Sequence, residues 1–291
     1  MNQAEDMKRL LTHFHLYYHD QVDYFIEKMS NISGVVWTLV VTYSEWNEES
    51  ARKLREFKPD VVFRKTDNIG YDIWPFIDLI QHTDLKDYDF VMKLHTKRSI
   101  GACRCNIIKL RGFDWRNVLV DGMLYNKQHF LNVLKLFEND PSVGMVSSLL
   151  TYVERDYYES LVKNELDRLG WEKFDPHTCM GTMFMMRSSI LSLLQRPDID
   201  SHLFECEVPE SGTFFHKAHL YERIFSHLAI NSGLRHVPVW HSKKDSRRIA
   251  VAKFFEPVGK FIFCCEKEGP ERKKFIRILG IKKYLKYKSK H

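Results

Sequence analysis

Asp89-Phe90-Val91-Met92-Lys93-Leu94-His95-Thr96-Lys97-Arg98-Ser99 is the stretch that decides how this 291-residue chain is read. Its first half is an apolar run with the composition of a buried strand. Its second half stops abruptly in His95, Lys97 and Arg98, a cluster of cation-capable side chains. In open α/β sheets, ligands sit just outside the carboxyl ends of the strands. A strand that ends in His-Thr-Lys-Arg-Ser therefore points to a phosphate site.

Strand and helix signals alternate on both sides of it. Residues 12–18 read as a strand, 20–29 have helical spacing, and 35–43 are a near-continuous apolar run of the kind central parallel strands show. Ser44 is placed to cap a helix over 48–57, with Pro59 as its stop. A short strand is expected over 60–64 and a helix over 72–81, with Pro75 in its first turn. Downstream, 113–138 reads as mainly helical, 143–149 as a strand, 156–169 as helical and 181–186 as a strand ending at Arg187. A helix over 189–194, a helix over 218–232 stopped by Gly233, and a short strand over 237–240 complete the order. The β-α-β-α-β-α-β beginning predicts an α/β fold, a mostly parallel central sheet covered by helices on both faces.

Composition narrows the function. The net charge of +6 is uneven: residues 272–291 hold nine Lys/Arg and no acid, which leaves −3 for residues 1–271. A body without positive excess argues against a general nucleic-acid binder, though not against a small phosphate pocket. No apolar stretch is long enough to cross a bilayer, and Met1-Asn2-Gln3-Ala4-Glu5-Asp6 lacks the basic and apolar regions of a signal peptide, so a cytoplasmic chain is expected. Cys103-Arg104-Cys105 and Cys264-Cys265 are too closely spaced for a zinc knuckle and read as reduced thiols.

Three constellations could carry chemistry. In Lys65-Thr66-Asp67-Asn68-Ile69-Gly70-Tyr71-Asp72, Asn68 and Gly70 suit a tight turn, and Asp67 and Asp72 flank it at the sheet edge of His95. Asp72 could equally cap the following helix. His95, Thr96, Lys97 and Arg98 are read as the phosphate site, lysine as a point charge and histidine as a donor whose ionisation a phosphate would promote; a solvated basic corner is the plain alternative. Among His13, His15 and His19, the aromatic neighbours of His15 fit a stacking wall better than a zinc site.

The order of parts resembles the single-domain, Rossmann-like A-type fold of nucleotide-sugar glycosyltransferases. More narrowly, the chain is similar to the rhamnan synthesis protein F family. The likeness rests on His15-Leu16-Tyr17-Tyr18, Asn68-Ile69-Gly70-Tyr71-Asp72-Ile73-Trp74-Pro75-Phe76 and Lys93-Leu94-His95-Thr96-Lys97-Arg98-Ser99. It continues in Gly112-Phe113-Asp114-Trp115-Arg116, Gly181-Thr182-Met183-Phe184-Met185-Met186-Arg187 and Leu220-Tyr221-Glu222-Arg223-Ile224-Phe225. The resemblance implies transfer of rhamnose, or a similar deoxy or furanose sugar, from a nucleotide-diphosphate sugar to a growing cell-surface polysaccharide. The donor would lie over His15, residues 67–72 and residues 95–98, and the acceptor would approach from Gly181, Thr182 and Arg187. Glu222 falls where the A-type fold places the base toward the acceptor hydroxyl, which would give inversion; a structural Glu222–Arg223 ion pair is the alternative. His241 and Lys243 fall in a late loop that in this fold closes over the diphosphate.

Most A-type enzymes hold a divalent metal, Mg or Mn, through a D-x-D pair. Here those positions read His95-Thr96-Lys97, so no metal ligand is assigned, a divalent metal stays an open alternative, and side-chain cations would take over neutralising the diphosphate. The resemblance implies one A-type domain over 1–265, with a donor half at 12–110, an acceptor half at 111–245 and a basic tail over 266–291. That tail has an imperfect apolar helical face. Near anionic lipid each Lys or Arg contributes about 1 kcal/mol, so a peripheral position on the inner face of the cell membrane, near a lipid-linked or polysaccharide acceptor, is expected. A non-catalytic nucleotide- or glycan-binding component of a polysaccharide assembly complex is the second reading.

Overall fold

The apolar runs become the central strands. In the computed structural model, which describes residues 7–105, 108–154, 158–205, 207–210, 213–268 and 273–284, β1 (Arg9–Leu16), β2 (Val36–Tyr43) and β3 (Val62–Lys65) alternate with α1 (Val22–Met29), α2 (Glu48–Phe57) and α3 (Ile73–Gln81). β4 (Phe90–His95) follows, then a side hairpin of β5 (Ile100–Cys105) and β6 (Ile108–Gly112). The helices α4 (Asp114–Leu124) and α5 (Lys127–Asn139) lead to β7 (Val143–Ser148). Next come β8 (Tyr152–Glu154), α6 (Glu159–Leu169), β9 (His177–Cys179), β10 (Phe184–Arg187), a 3-10 helix over Ser188–Leu194 and α7 (His202–Glu205). A hairpin of β11 (Glu207–Glu210) and β12 (Thr213–His216) precedes α8 (Lys217–Asn231), β13 (Arg235–Val239) and α9 (Lys243–Ile262). A meander of β14 (Phe263–Glu268), β15 (Lys273–Ile278) and β16 (Ile281–Tyr284) ends the described chain.

The central sheet has the order β13-β7-β10-β4-β1-β2-β3. Its pairs are parallel except those of β10, which runs antiparallel to β4 and β7. This is the expected α/β architecture. The chain winds outward from β1 to β3, then returns to lay β4 on the other flank of β1. Strand order thus reverses between β1 and β4, and the crevice outside their carboxyl ends is where such sheets bind ligands.

The period of two along each strand divides the side chains between two faces. Leu10, Phe14 and Leu16 of β1, with Phe90, Met92 and Leu94 of β4, join the core under α1, α4 and α5. Leu11 and Val91 join the opposite core, built with α3, α6 and α8. Residues in step with Leu11 and Val91 are His13, His15, Lys93 and His95, and all four are buried. The polar positions of both strands therefore collect on one face and rise toward the carboxyl edge.

Local chemistry moves several expected boundaries. Asn47, not Ser44, caps α2, its side chain accepting from the Ser50 N–H at 2.9 Å. The helical stretch over 113–138 is two helices, because Asn126 accepts from the His129 N–H at 2.8 Å and starts α5 anew. Of the helix expected over 156–169, Glu159–Leu169 is α6, and the first residues lie outside those described. Residues 273–284 form a strand pair rather than a helix. A boundary after residue 265 would cut β14, which pairs along its length with β15 and packs with it on α9. Residues 269–272 and 285–291 of the expected tail lie outside the described residues, as do the side chains of Cys103, Cys105, Cys264 and Cys265. Among the described residues, no helix is long and apolar enough to cross a membrane.

Candidate functional site

A cavity of about 510 Å³ opens at the switch point. Its walls come from the end of β1 (His15) and the loop after it (Tyr17, Tyr18), the β3–α3 loop (Asn68, Tyr71, Asp72), the residues after β4 (Thr96, Lys97, Arg98), Thr182 before β10, and the first turns of α8 (Ala218, His219, Glu222). Five separate segments of sequence meet here because the parallel strands all end at this edge.

Beneath the cavity lies a buried ionic cluster. Lys93, wholly buried, places its Nζ 2.5 Å from Asp72 Oδ2, 3.1 Å from Thr182 Oγ1 and 3.3 Å from the Thr182 carbonyl oxygen. Thr182 Oγ1 also donates to Asp72 Oδ2 at 2.8 Å. The rings of Phe76 and Phe225, on α3 and α8, stand 5.7 and 6.0 Å from the ammonium. Burial pulls Lys93 below the usual ammonium range, opposed by Asp72. Burial alone would raise the Asp72 carboxyl, but His95, Lys93 and Lys97 outweigh it and hold it well below the usual carboxylate range. Asp72 precedes α3 yet makes no capping bond with its side chain, so the capping reading fails: the carboxylate turns to Lys93 instead.

Two histidines stay neutral. Burial holds the His15 imidazole down at about 4, and its Nδ1 meets Thr42 Oγ1 at 2.9 Å. Burial also keeps His95 well below the ordinary histidine range. His95 Nδ1 lies 3.4 Å from Asp72 Oδ2, and Nε2 is buried without a hydrogen-bond partner. His95 does not line the cavity: it is buried beside Lys93 and Asp72, so the expected histidine donor is not at the cavity surface. Desolvation, aided by the positive charges of Lys97 and Lys93, outweighs the nearby Asp72 carboxylate and decides against the charge.

The cationic residues that do face the cavity are Lys97 and Arg98. Their backbone is fixed: Gln21 Nε2 donates to the Lys97 carbonyl oxygen at 2.8 Å, and the Lys97 N–H donates to Gln21 Oε1 at 3.2 Å. Thr96 Oγ1 accepts the N–H groups of Tyr17 and Tyr18, each at 3.0 Å, and so ties the β1–α1 loop to the end of β4. Lys97 Nζ reaches Asp72 Oδ1 at 3.8 Å.

Across the cavity, Glu222 Oε1 accepts the Gly181 N–H at 2.6 Å, which fixes the carboxylate against the Gly181-Thr182 turn. Gly70 has φ +63° and sits so close to Trp74 and Phe204 that an added Cβ would approach Trp74 Cβ at 2.8 Å. Only glycine suits that turn, and Tyr71 beyond it, at φ +56°, holds an exposed ring beside His216 and His219.

Several expected positions lie elsewhere. Asp67 is exposed and outside the cavity wall. Arg187 sits at the opposite edge of the sheet, because antiparallel β10 carries it back to Phe90; its guanidinium donates to the carbonyl oxygens of Val143 and Phe137. His241 stacks on Tyr125 at 3.5 Å, beyond edge strand β13, and neither it nor Lys243, which opens α9, lines the cavity. Conversely, Lys93, Gln21, Tyr17, Tyr18, Tyr71 and His219 belong to the site and were not singled out as site residues. A lysine in register with His95, within an otherwise apolar strand, was the available signal for Lys93. Nothing in the sequence marks Gln21.

The side chains at 95–97 do not fit a divalent cation. His95 is sunk in the floor, the Thr96 hydroxyl is engaged by two N–H groups, Lys97 is itself positive, and the Asp72 carboxylate is paired with Lys93. Magnesium and manganese want several free oxygen ligands.

The sequence model described as Rhamnan synthesis protein F matches residues 1–234. The comparison with curated proteins returns no match. Two solved structures align along most of the chain. One is a mycobacterial protein, 11% identical, covering 96% of this chain and 87% of that one at a TM-score of 0.40. The other is glucosyl-3-phosphoglycerate synthase from Mycobacterium tuberculosis in complex with Mn2+, uridine diphosphate and glucosyl-3-phosphoglycerate, 12% identical, covering 95% and 91% at a TM-score of 0.36.

Proposed function

The chain belongs to the rhamnan synthesis protein F family, and from that premise we propose that it is a glycosyltransferase using a nucleotide-diphosphate sugar, with rhamnose or a similar deoxy or furanose sugar as the group moved onto a cell-surface polysaccharide. The observation that carries this reading is that Lys97 and Arg98 share one cavity with Glu222. Leaving-group charge and acceptor proton are the two things such a displacement must manage, and a group for each is present.

In this reading the diphosphate lies against Lys97 and Arg98, with the Lys93–Asp72 pair holding the floor beneath them. Fixed cations stabilise the charge that develops as the glycosidic bond to phosphate breaks. The nucleoside lies toward Tyr17, Tyr18 and neutral His15, whose flat faces suit stacking. Glu222 takes the proton from the acceptor hydroxyl as its oxygen attacks the anomeric carbon from the face opposite the departing diphosphate, and the configuration inverts. The residues at 95–97 do not suit a divalent ion, so in this reading the charge-neutralising role falls to Lys97 and Arg98. The acceptor is lipid-linked or polysaccharide, and the basic C-terminal segment brings the enzyme to the anionic inner face of the membrane.

One observation favours the second reading, a non-catalytic binding component: Glu222 already accepts the Gly181 N–H. Release of nucleoside diphosphate from a panel of UDP-, dTDP- and GDP-sugars, with acceptor and with or without EDTA, separates the two. Acceptor-dependent, EDTA-resistant release that falls at least about a hundredfold in Glu222→Gln supports the transferase. That variant keeps an oxygen for the Gly181 N–H, so its melting temperature should stay put. Binding of a donor without release, or full activity in the variant, would sink the proposal.

A further inference from the structure

α9 turns an apolar stripe to solvent. Val251, Phe254, Phe255, Val258, Phe261 and Ile262 recur at the i, i+3, i+4, i+7 spacing of a single helix face. Such a stripe normally faces a core, yet every one of these side chains is more than half exposed, from 53% at Ile262 to 76% at Phe254. The β15–β16 hairpin extends the surface through Ile278, Leu279 and Ile281, the last 77% exposed.

Helix and hairpin are bound into one unit. The Leu279 N–H donates to the Ile262 carbonyl oxygen at 2.9 Å, and the Gly280 N–H to that of Phe261 at 2.8 Å. These bonds satisfy carbonyls at the end of α9 that the helix itself leaves open. Leu279 and Gly280 both have positive φ, 45° and 79°, as a two-residue hairpin turn requires. A Cβ on Gly280 would come within 2.8 Å of the Phe261 ring, so glycine is what lets the turn lie against the helix.

Charge follows the same segment. Of 44 Lys/Arg and 38 Asp/Glu in the chain, sixteen and five fall in residues 243–290; that segment therefore carries +11, and the rest of the chain −5. A contiguous exposed apolar surface marks an interface. A second copy would bring +11 against +11. An anionic bilayer offers the opposite charge and an apolar boundary layer for the rings.

We propose that α9 and the β15–β16 hairpin form an interfacial membrane anchor that inserts its aromatic and aliphatic face into an anionic bilayer, with the surrounding Lys and Arg on the lipid phosphates. The proposal rests on the membrane placement in the reading above and deepens it: apolar insertion, not net charge alone, holds the protein there. The test is sedimentation of the full chain with vesicles of phosphatidylcholine, alone or mixed with phosphatidylglycerol, at low and high salt. Pelleting with the anionic vesicles should persist in part at high salt. The double variant Phe254→Ser, Phe255→Ser should weaken it at least about tenfold, and Ile281→Lys should act in the same direction, both with unchanged melting temperature. Equal pelleting of variants and parent overturns the proposal, as does no pelleting, or a concentration-dependent dimer that the variants abolish. Nucleoside diphosphate release on the same preparations keeps the two ideas apart: turnover without vesicle binding refutes the anchor alone, and vesicle binding without turnover upholds the anchor while counting against the transferase.

Discussion

Replacing Lys93 with methionine keeps most of the side-chain volume between Phe76 and Phe225 and removes the charge. The ammonium lies 2.5 Å from Asp72 Oδ2. At that separation, with an effective dielectric near 20, the attraction is on the order of 6–7 kcal/mol. Desolvation of both ions offsets much of it in the intact pair, but a lone variant forfeits the attraction while leaving the other ion buried, which costs about 3–5 kcal/mol. Here Thr182 Oγ1 at 2.8 Å and Lys97 at 3.8 Å remain beside Asp72, so the low end applies, about 3 kcal/mol, or a melting temperature lower by roughly 6–12 °C. Asp72→Asn should cost a similar amount, because it strands the ammonium. The double variant carries neither charge and should cost less than the sum of the singles by at least about 2 kcal/mol. Urea unfolding of the four proteins gives the cycle directly. Since the folded Asp72 carboxyl lies well below its usual range, the carboxylate's share of the pair is complete above the unfolded value of about 4 and is lost as pH falls through the folded one; the cost of Lys93→Met should therefore shrink on strong acidification. Additivity within about 0.5 kcal/mol would refute the claim that the two groups act as a pair.

Neutral His15 makes a prediction about acid. Its folded value is about 4 against an ordinary 6.5, so the unfolded chain binds a proton that the folded chain refuses; stability should fall as pH drops from about 6.5 to about 4, by up to about 3 kcal/mol. His15→Gln should flatten that portion of the urea-midpoint profile, and an unaltered slope would count against a buried neutral imidazole. Lys97→Ala should raise the donor KM about tenfold or more if its ammonium meets phosphate. Gln21→Ala should give a smaller rise in the same direction by freeing the Lys97 backbone, and steady-state kinetics that find the larger effect at Gln21 would reverse those roles.

How far the sequence could be read depended on whether a property is local. β1, β2 and β4 were legible because near-continuous apolar runs mark buried parallel strands, and their order places His15, Asn68, Asp72, Thr96, Lys97 and Arg98 at one edge. Glu222 and Thr182 reach the same cavity from far along the chain. Properties of pairs were illegible. Whether His95 is charged depends on how deep β4 lies under α3 and α8, not on its neighbours in sequence, and an exposed basic corner and a neutral buried floor begin with the same letters. Arg187 shows the same limit: the strand was recognised, but only the antiparallel pairing of β10 with β4 and β7 sends its end to the far edge.

The C-terminal segment inverts that lesson. Its alternating basic and apolar residues are compatible with an irregular amphipathic helix or with strands, since Lys282 and Lys286 interrupt either face. What decides is Leu279-Gly280, a pair able to hold two positive φ angles, which turns the chain back on itself and docks it on α9. The apolar stripe of α9, by contrast, is plain in the sequence at 251, 254, 255, 258, 261 and 262. By pattern alone it would be assigned to a core. Its exposure is a fact of tertiary structure, and a stripe left in water among the described residues is what the proposed bilayer contact would cover.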